Sequence, residues 1–156
     1  LKPYRAPANE RRLTIIPPRE GPRRAGNALE GWFEWELNWA DLPQNAALLG
    51  LDSQGGVEVL IPDLHAYRRA APALRQNGNV TAYQAGFSDE GAGVRNVALV
   101  LMTASQPIDT ELVNKIGTEA TSAFVQRVDG AAKAAGWKFE LGLVRCGFDR
   151  GEDARC

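Results

Sequence analysis

The run Leu-Leu-Gly-Leu-Asp-Ser-Gln-Gly-Gly-Val-Glu-Val-Leu-Ile-Pro, residues 48–62, decides what kind of sheet this chain builds. Val57, Val59 and Ile61 alternate with Gly56, Glu58 and Leu60, the period-two pattern of a half-buried strand. A second apolar run, residues 48–51, precedes it. Between the two, Asp52-Ser53-Gln54-Gly55-Gly56 supplies turn chemistry, with glycines free to take positive φ. Pro62 then stops the second strand. Two strands joined by a tight turn run antiparallel, so the sheet is expected to be mainly antiparallel.

Upstream, residues 31–39 (GWFEWELNW) alternate as cleanly. Phe33, Trp35, Leu37 and Trp39 share one face, and Trp32, Glu34, Glu36 and Asn38 share the other. Large aromatics on one strand face fill a core. Trp32 stands apart, because it shares the polar face with two carboxylates; it is the candidate for a sugar-binding platform. Glu34 and Glu36 also raise glycosidase chemistry, in which paired carboxylates divide acid and base roles. Such carboxylates flank a substrate bond, whereas neighbours on one strand point in parallel, so the pair is read as solvated.

Downstream, residues 63–79 (DLHAYRRAAPALRQNGN) place Leu64, Tyr67 and Ala71 at helical spacing before Pro72 ends the helix. Arg68, Arg69 and Arg75 beside Tyr67 form a candidate anion site, against the plainer reading of a solvated loop face. His65 is a candidate base or ligand by its chemistry. It has no serine, cysteine or carboxylate motif around it and is read as a plain loop histidine. Residues 80–84 form a short strand, and residues 86–93 a glycine-rich loop. Phosphate-binding glycine loops follow a strand and open a helix. This one opens a strand and carries Asp89 and Glu90, so it is read as a hairpin connection.

Residues 94–103 (VRNVALVLMT) are apolar on both faces after Asn96, as in a central strand covered by a further layer. The cover is expected from residues 109–135. There Asp109 caps a helix with Leu112, Ile116, Ala120, Phe124, Val128 and Ala132 at every fourth position, and Gly136 ends it. Residues 137–148 close the fold as a strand, with Trp137, Phe139, Leu141 and Leu143 facing in and Lys138, Glu140 and Gly142 facing out. The class expected is α+β: a mainly antiparallel sheet or small β-sandwich with one long C-terminal helix packed on it.

At 156 residues, 44% of them apolar and 24% charged, the chain suits one domain with a real core. No apolar run is long enough to span a bilayer. Met102 is the only methionine, so a processed product or a piece of a larger protein is expected, with any membrane attachment through an anchor preceding Leu1. Residues 1–28 hold five of the nine prolines and carry seven basic against two acidic residues, a balance of +5. They are read as a basic linker to a globular domain at 29–156, with residues 13–16 a strand-like interruption. The remainder carries 11 basic and 17 acidic residues, a balance of −6. Nucleic acid is therefore not expected as a partner, since an acidic body repels phosphate and the leader offers only Tyr4 for stacking.

Cys146 and Cys156 are ten positions apart. Paired, they close a small loop and place the domain outside the cytosol; reduced, Cys146 is a strand residue and Cys156 a tail thiol. The paired reading is preferred. Neither cysteine has companions spaced for zinc, and no metal, cofactor or catalytic residue is read from the sequence.

The hairpin and the strand after the glycine loop resemble a bacterial domain of unknown function, family 4384. The resemblance is carried by Leu49-Gly50-Leu51-Asp52, by Gly55-Gly56-Val57-Glu58-Val59-Leu60-Ile61-Pro62, and by residues 97–102 running to Ser105-Gln106-Pro107-Ile108. It covers roughly residues 31–108. It implies an accessory module of the kind placed beside caspase-like peptidases, protein kinases or envelope proteins, with structural roles for the pattern residues. The function expected is a non-catalytic binding or sensory domain of a larger bacterial protein, periplasmic or otherwise extracytoplasmic, whose ligand is a protein or a cell-envelope component. Two alternatives stand beside it. One is a hydrolytic enzyme using His65 with Arg68, Arg69 and Arg75 on an anionic substrate; the other is a carbohydrate-binding module built on Trp32.

Overall fold

The computed structural model describes residues 2–17, 23–25, 28–51, 55–89, 95–148 and 154–155. In chain order the strands are Leu13–Ile16 (β1), Arg23–Ala25 (β2), Ala28–Asn38 (β3), Asn45–Leu51 (β4), Val57–Ile61 (β5), Arg75–Asn77 (β6), Val80–Asp89 (β7), Arg95–Ala104 (β8), Lys138–Phe148 (β9) and Ala154–Arg155 (β10). The α-helices are Leu64–Ala70 (α1), Thr110–Asn114 (α2) and Ser122–Ala134 (α3). One sheet runs β1-β3-β7-β6, with β2 also on β3; the other runs β10-β9-β8-β4-β5. All these strand pairings are antiparallel, and the class is α+β dominated by antiparallel sheet.

The second sheet is the middle of three layers. On β4 and β8, Ala46, Leu48, Leu99 and Leu101 meet Phe33, Trp35, Leu37 and Tyr83 of the first sheet in one core. The alternate residues Ala47, Leu49, Val100 and Met102 meet Leu112, Val113, Phe124 and Ala132 of α2 and α3 in the other. A strand with apolar residues on both faces is what this position demands. The alternation of β3 is as expected: Phe33, Trp35, Leu37 and Trp39 are buried, and Trp32 is 61% exposed.

The hairpin of β4 and β5 is present, with one irregularity that its composition did not announce. Leu48 pairs with Ile61 but Leu49 pairs with Val59, so Leu60 is an extra residue. Such a bulge reverses the facing of the strand beyond it. Val57 and Val59 therefore pack toward the helices, Ile61 packs into the sandwich, and Leu60 is left exposed against Gly50.

The helical stretch expected over 109–135 is in two pieces. Asp109 caps α2 by accepting from the Leu112 N–H at 3.0 Å, and Thr121 caps α3 by accepting from Phe124 at 3.2 Å. Gly117 breaks the run at φ +84°, where a Cβ would lie 2.1 Å from the Gly55 carbonyl oxygen. Only glycine permits that approach. The break has a use at the sheet edge. The Ile116 carbonyl accepts from Val57 N–H at 3.1 Å, and the Asn114 side chain from Val59 N–H at 2.7 Å. Together they cover the open edge of β5.

Residues 86–93 are not a hairpin connection: β7 lies in the first sheet and β8 in the second, so the chain crosses between layers there. The strand read at 80–84 extends to Asp89, and residues 90–94 lie outside the described residues. Trp137, just before β9, and Phe139 on it are buried as expected, but Leu141 and Leu143 are 47% and 56% exposed while Glu140 and Gly142 are buried. The cause is β1. It lies over the Glu140–Gly142 side of β9, so close that a Cβ on Gly142 would sit 2.9 Å from Ile15.

The leader departs most from expectation. The strand at Leu13–Ile16 is there, paired with residues 34–37 of β3, but the rest of residues 2–17 is bound to the body instead of running as a free linker. The Tyr4 hydroxyl donates to the Asp129 carboxylate on α3, which also pairs with Lys133. The Ala6 N–H donates to the Phe139 carbonyl at 2.8 Å, and Lys138 pairs with Glu10 at 3.1 Å. Finally, the Glu140 carboxylate accepts from the N–H groups of Arg12, 2.9 Å to each oxygen, and of Leu13, 2.8 Å. Residues 2–17 are a strap across one edge of the sandwich.

Candidate functional site

Two places gather the residues singled out by chemistry. The first is the outer face of the first sheet. Trp32 pairs with Gly86 across β3 and β7, and its six-membered ring lies over the glycine, 3.0–3.4 Å from where a Cβ would be. A side chain at position 86 would push the indole off the sheet. With glycine there, the six-membered ring rests close to the backbone and the indole stays largely open to solvent. Next along the strand, Glu34 pairs with Gln84 and Glu36 with Ala82. Arg75, opposite Ala82 on β6, reaches back over both carboxylates, 2.5 Å from Glu34 and 3.6 Å from Glu36.

The hydrogen bond to Glu34 is the main reason the Arg75 pKa stands above its ordinary value. All three side chains are partly solvated, so the network contributes little stability. What it does is hold acceptors and donors in a fixed pattern beside the indole. The glutamates read as simply solvated thus share an arginine 39 or more positions away, a pairing that only the register of β3, β7 and β6 creates.

The second place is α1, which carries the chain from the edge strand β5 of one sheet to the edge strand β6 of the other. Asp63 caps the helix by accepting from the Ala66 N–H at 3.0 Å, and Leu64 anchors it in the core. His65, expected in a loop, is on this helix. Its Nε2–H donates to the Pro43 carbonyl at 2.9 Å, and its ring lies 5.5 Å from that of Trp39. No carboxylate orients it among the described residues. The Arg68 guanidinium sits over Trp39 at 4.6 Å, a cation–π geometry. Tyr67 turns inward, 6.2 Å from Trp35 and 5.1 Å edge-on from Tyr83.

The five residues named for ligand contact therefore divide. Trp32 and Arg75 share the outer sheet face, His65 and Arg68 share α1, and Arg69 is exposed on α1. The cluster of His65 with three arginines does not form. Cys146 and Cys156 have side chains outside the described residues, though Ala154 and Arg155 return antiparallel to Phe148 and Gly147 on the strand that carries Cys146. Among the described residues no three His, Cys, Asp or Glu side chains are grouped to hold a metal, and no helix is long and apolar enough to cross a membrane.

Sequence reasoning missed Gln84, Gly86 and Tyr83. Each is unremarkable in its own strand, and becomes notable only through the residue opposite. No family model, curated protein or solved structure matches this chain.

Proposed function

We propose that the chain is a non-catalytic binding module of a larger bacterial protein, acting outside the cytoplasm on carbohydrate of the cell envelope through the outer face of its first sheet. The observation that carries this reading is Trp32, exposed on a sheet face and seated on Gly86 beside Glu34, Gln84 and Arg75. An indole with one open face stacks on the C–H face of a sugar ring, while carboxylate, amide and guanidinium groups meet the hydroxyls. The bacterial context comes from the likeness to family 4384, and the extracytoplasmic placement from the paired reading of Cys146 and Cys156.

The test is a fluorescence titration with soluble envelope glycans. Trp35, Trp39 and Trp137 are buried, so Trp32 is the tryptophan that a surface ligand would reach. Saturation in the native protein and its loss in Trp32→Ala is the expected result. A flat titration across peptidoglycan fragments and neutral oligosaccharides removes the carbohydrate reading. Thiol counting with and without reductant tests the placement: two free thiols in the native protein would end the argument for export.

A further inference from the structure

We propose that residues 141–145 of β9 are a docking edge for an extended segment of a partner protein, apolar at alternate positions and acidic between them, which adds to the second sheet as a further strand. This goes beyond the carbohydrate reading and uses none of its residues.

The backbone carries the argument. On one side β9 pairs with β8. On the other, the strap reaches it at Phe139, whose carbonyl accepts from the Ala6 N–H at 2.8 Å, and β10 reaches it at Gly147 and Phe148. Alternate residues of an antiparallel strand turn their N–H and C=O groups to the same side. Leu141, Leu143 and Arg145 are therefore in phase with Phe139 and turn theirs outward, to solvent. Among the described residues no backbone group pairs with them on that side. The free stretch is about 17 Å long at the rise of an antiparallel strand.

The other edge of the same sheet is treated differently, since the Val57 and Val59 N–H groups of β5 are met by Ile116 and Asn114. An open edge with apolar side chains is a template for strand pairing, and proteins ordinarily cover or charge it. Leu141 and Leu143 stand on the same face of β9 as the buried Phe139, yet both are exposed. A strand laid along this edge would set its own alternate side chains beside the two leucines.

Two features choose the occupant. A second copy does not fit. A two-fold pairing that uses the free positions is centred on Leu143, with Leu141 opposite Arg145 of the other copy. The same register sets Gly147 of one β9 opposite Phe139 of the other, where β10 and the strap already sit. A short segment that leaves the sheet at both ends of the gap meets no such obstacle. Charge then sets its chemistry. Arg5, exposed and bridged to Phe139, borders the gap at one end; Arg155, opposite Gly147, borders it at the other; and Arg145 lies within it. The neighbouring Glu140 is buried and held by the N–H groups of Arg12 and Leu13. Basic positions along the edge favour an acidic segment. Backbone pairing supplies affinity in this mode of recognition, and alternate side chains supply specificity.

The probe is an acetylated, amidated hexapeptide of alternating valine and glutamate, titrated against the full chain by fluorescence polarisation and mapped by amide hydrogen exchange. Saturable binding with slowed exchange at the Leu141, Leu143 and Arg145 N–H groups is expected. The valine–lysine counterpart should bind at least 10-fold more weakly. So should the valine–glutamate peptide methylated on every backbone nitrogen, which keeps the side chains and loses the strand donors. Leu143→Pro removes one outward N–H at an edge, where strands accept proline, and should weaken binding by a similar factor. The methylated peptide leaves the protein unaltered, so it decides the matter if Leu143→Pro does not fold. No saturable binding of the valine–glutamate peptide, protection at other amides only, equal binding of the methylated peptide, or preference for the lysine peptide overturns the proposal. Protection of the same three N–H groups without peptide, in a dimer seen by sedimentation, also overturns it and gives the edge to a second copy.

Discussion

The two long edges of the sandwich are closed in opposite ways. At one edge the strap of residues 2–17 crosses β9, and a buried carboxylate, Glu140, is met by the N–H groups of Arg12 and Leu13. At the other edge α1 lies over an aromatic stack of Trp35, Tyr67 and Tyr83, and there a buried hydroxyl goes unmet. The first edge is satisfied in its polar groups and held by backbone. The second is held by ring packing and leaves one donor over.

Cutting the strap's carboxylate gives the largest expected effect. Glu140→Ala strips the acceptor from two backbone N–H groups, with an expected loss of about 2–3 kcal/mol in urea unfolding. Glu140→Gln keeps one acceptor oxygen and should recover part of it. A loss within error for Glu140→Ala would mean that the strap does not stabilise the body.

Gly142→Ala acts on the same edge by volume alone. Its Cβ would stand 2.9 Å from Ile15 and 3.2 Å from Leu13, so β1 must shift, at a cost of roughly 1–3 kcal/mol. Faster tryptic cutting after Arg11 or Arg12 would show that the strap had loosened; an unchanged cutting rate would say that β1 adapts. At the α1 edge the sign reverses. Tyr83→Phe should leave stability unchanged or raise it by up to about 1 kcal/mol, because no hydrogen bond is lost.

The smallest effects come from pH: the strap should respond in acid and in alkali, the α1 edge in alkali. Lys133 first, and then Tyr4, hold the Asp129 carboxyl below its ordinary value. That stabilisation is present above the unfolded pKa and is lost as pH falls through the folded one, so acid should speed hydrogen exchange at the Ala6 N–H. Tyr83 is shifted upward by burial, so its share is present below the ordinary tyrosine value and is lost as pH rises. Tyr4 is raised too, by its hydrogen bond to Asp129 first. Comparing Tyr83→Phe with Tyr4→Phe in alkaline unfolding separates the edges, and a shallower alkaline limb only for Tyr4→Phe would place the sensitivity at the strap.

Local pattern was legible wherever one strand face met one core. The alternation of residues 31–39 predicted which of its three tryptophans stays exposed, and Asp109 and Gly136 marked the outer ends of the helical region. The reading failed where facing depends on a neighbour distant in sequence. Leu141 and Leu143 look inward by composition, yet β1 covers the opposite face of β9 and buries Glu140 in their place. Gly117 lies inside the stretch read as one helix; it is a break set by the approach of Gly55. The candidate site was half legible: Trp32 and Arg75 were singled out, but Gly86 and Gln84, which seat and border them, carry no signal in one dimension.

The sequence by itself determined the elements, because strand and helix periods and caps depend on neighbours within a few residues. It also determined the hairpin at 48–62, whose turn residues set the antiparallel sense locally. Only the tertiary structure decided that there are two sheets, that the leader is a strap, and that β5 changes face at Leu60. Those outcomes rest on pairings between segments far apart in the chain, such as Arg12 with Glu140, 128 positions on. A side chain's burial is a property of what covers it, and no local pattern says what that will be.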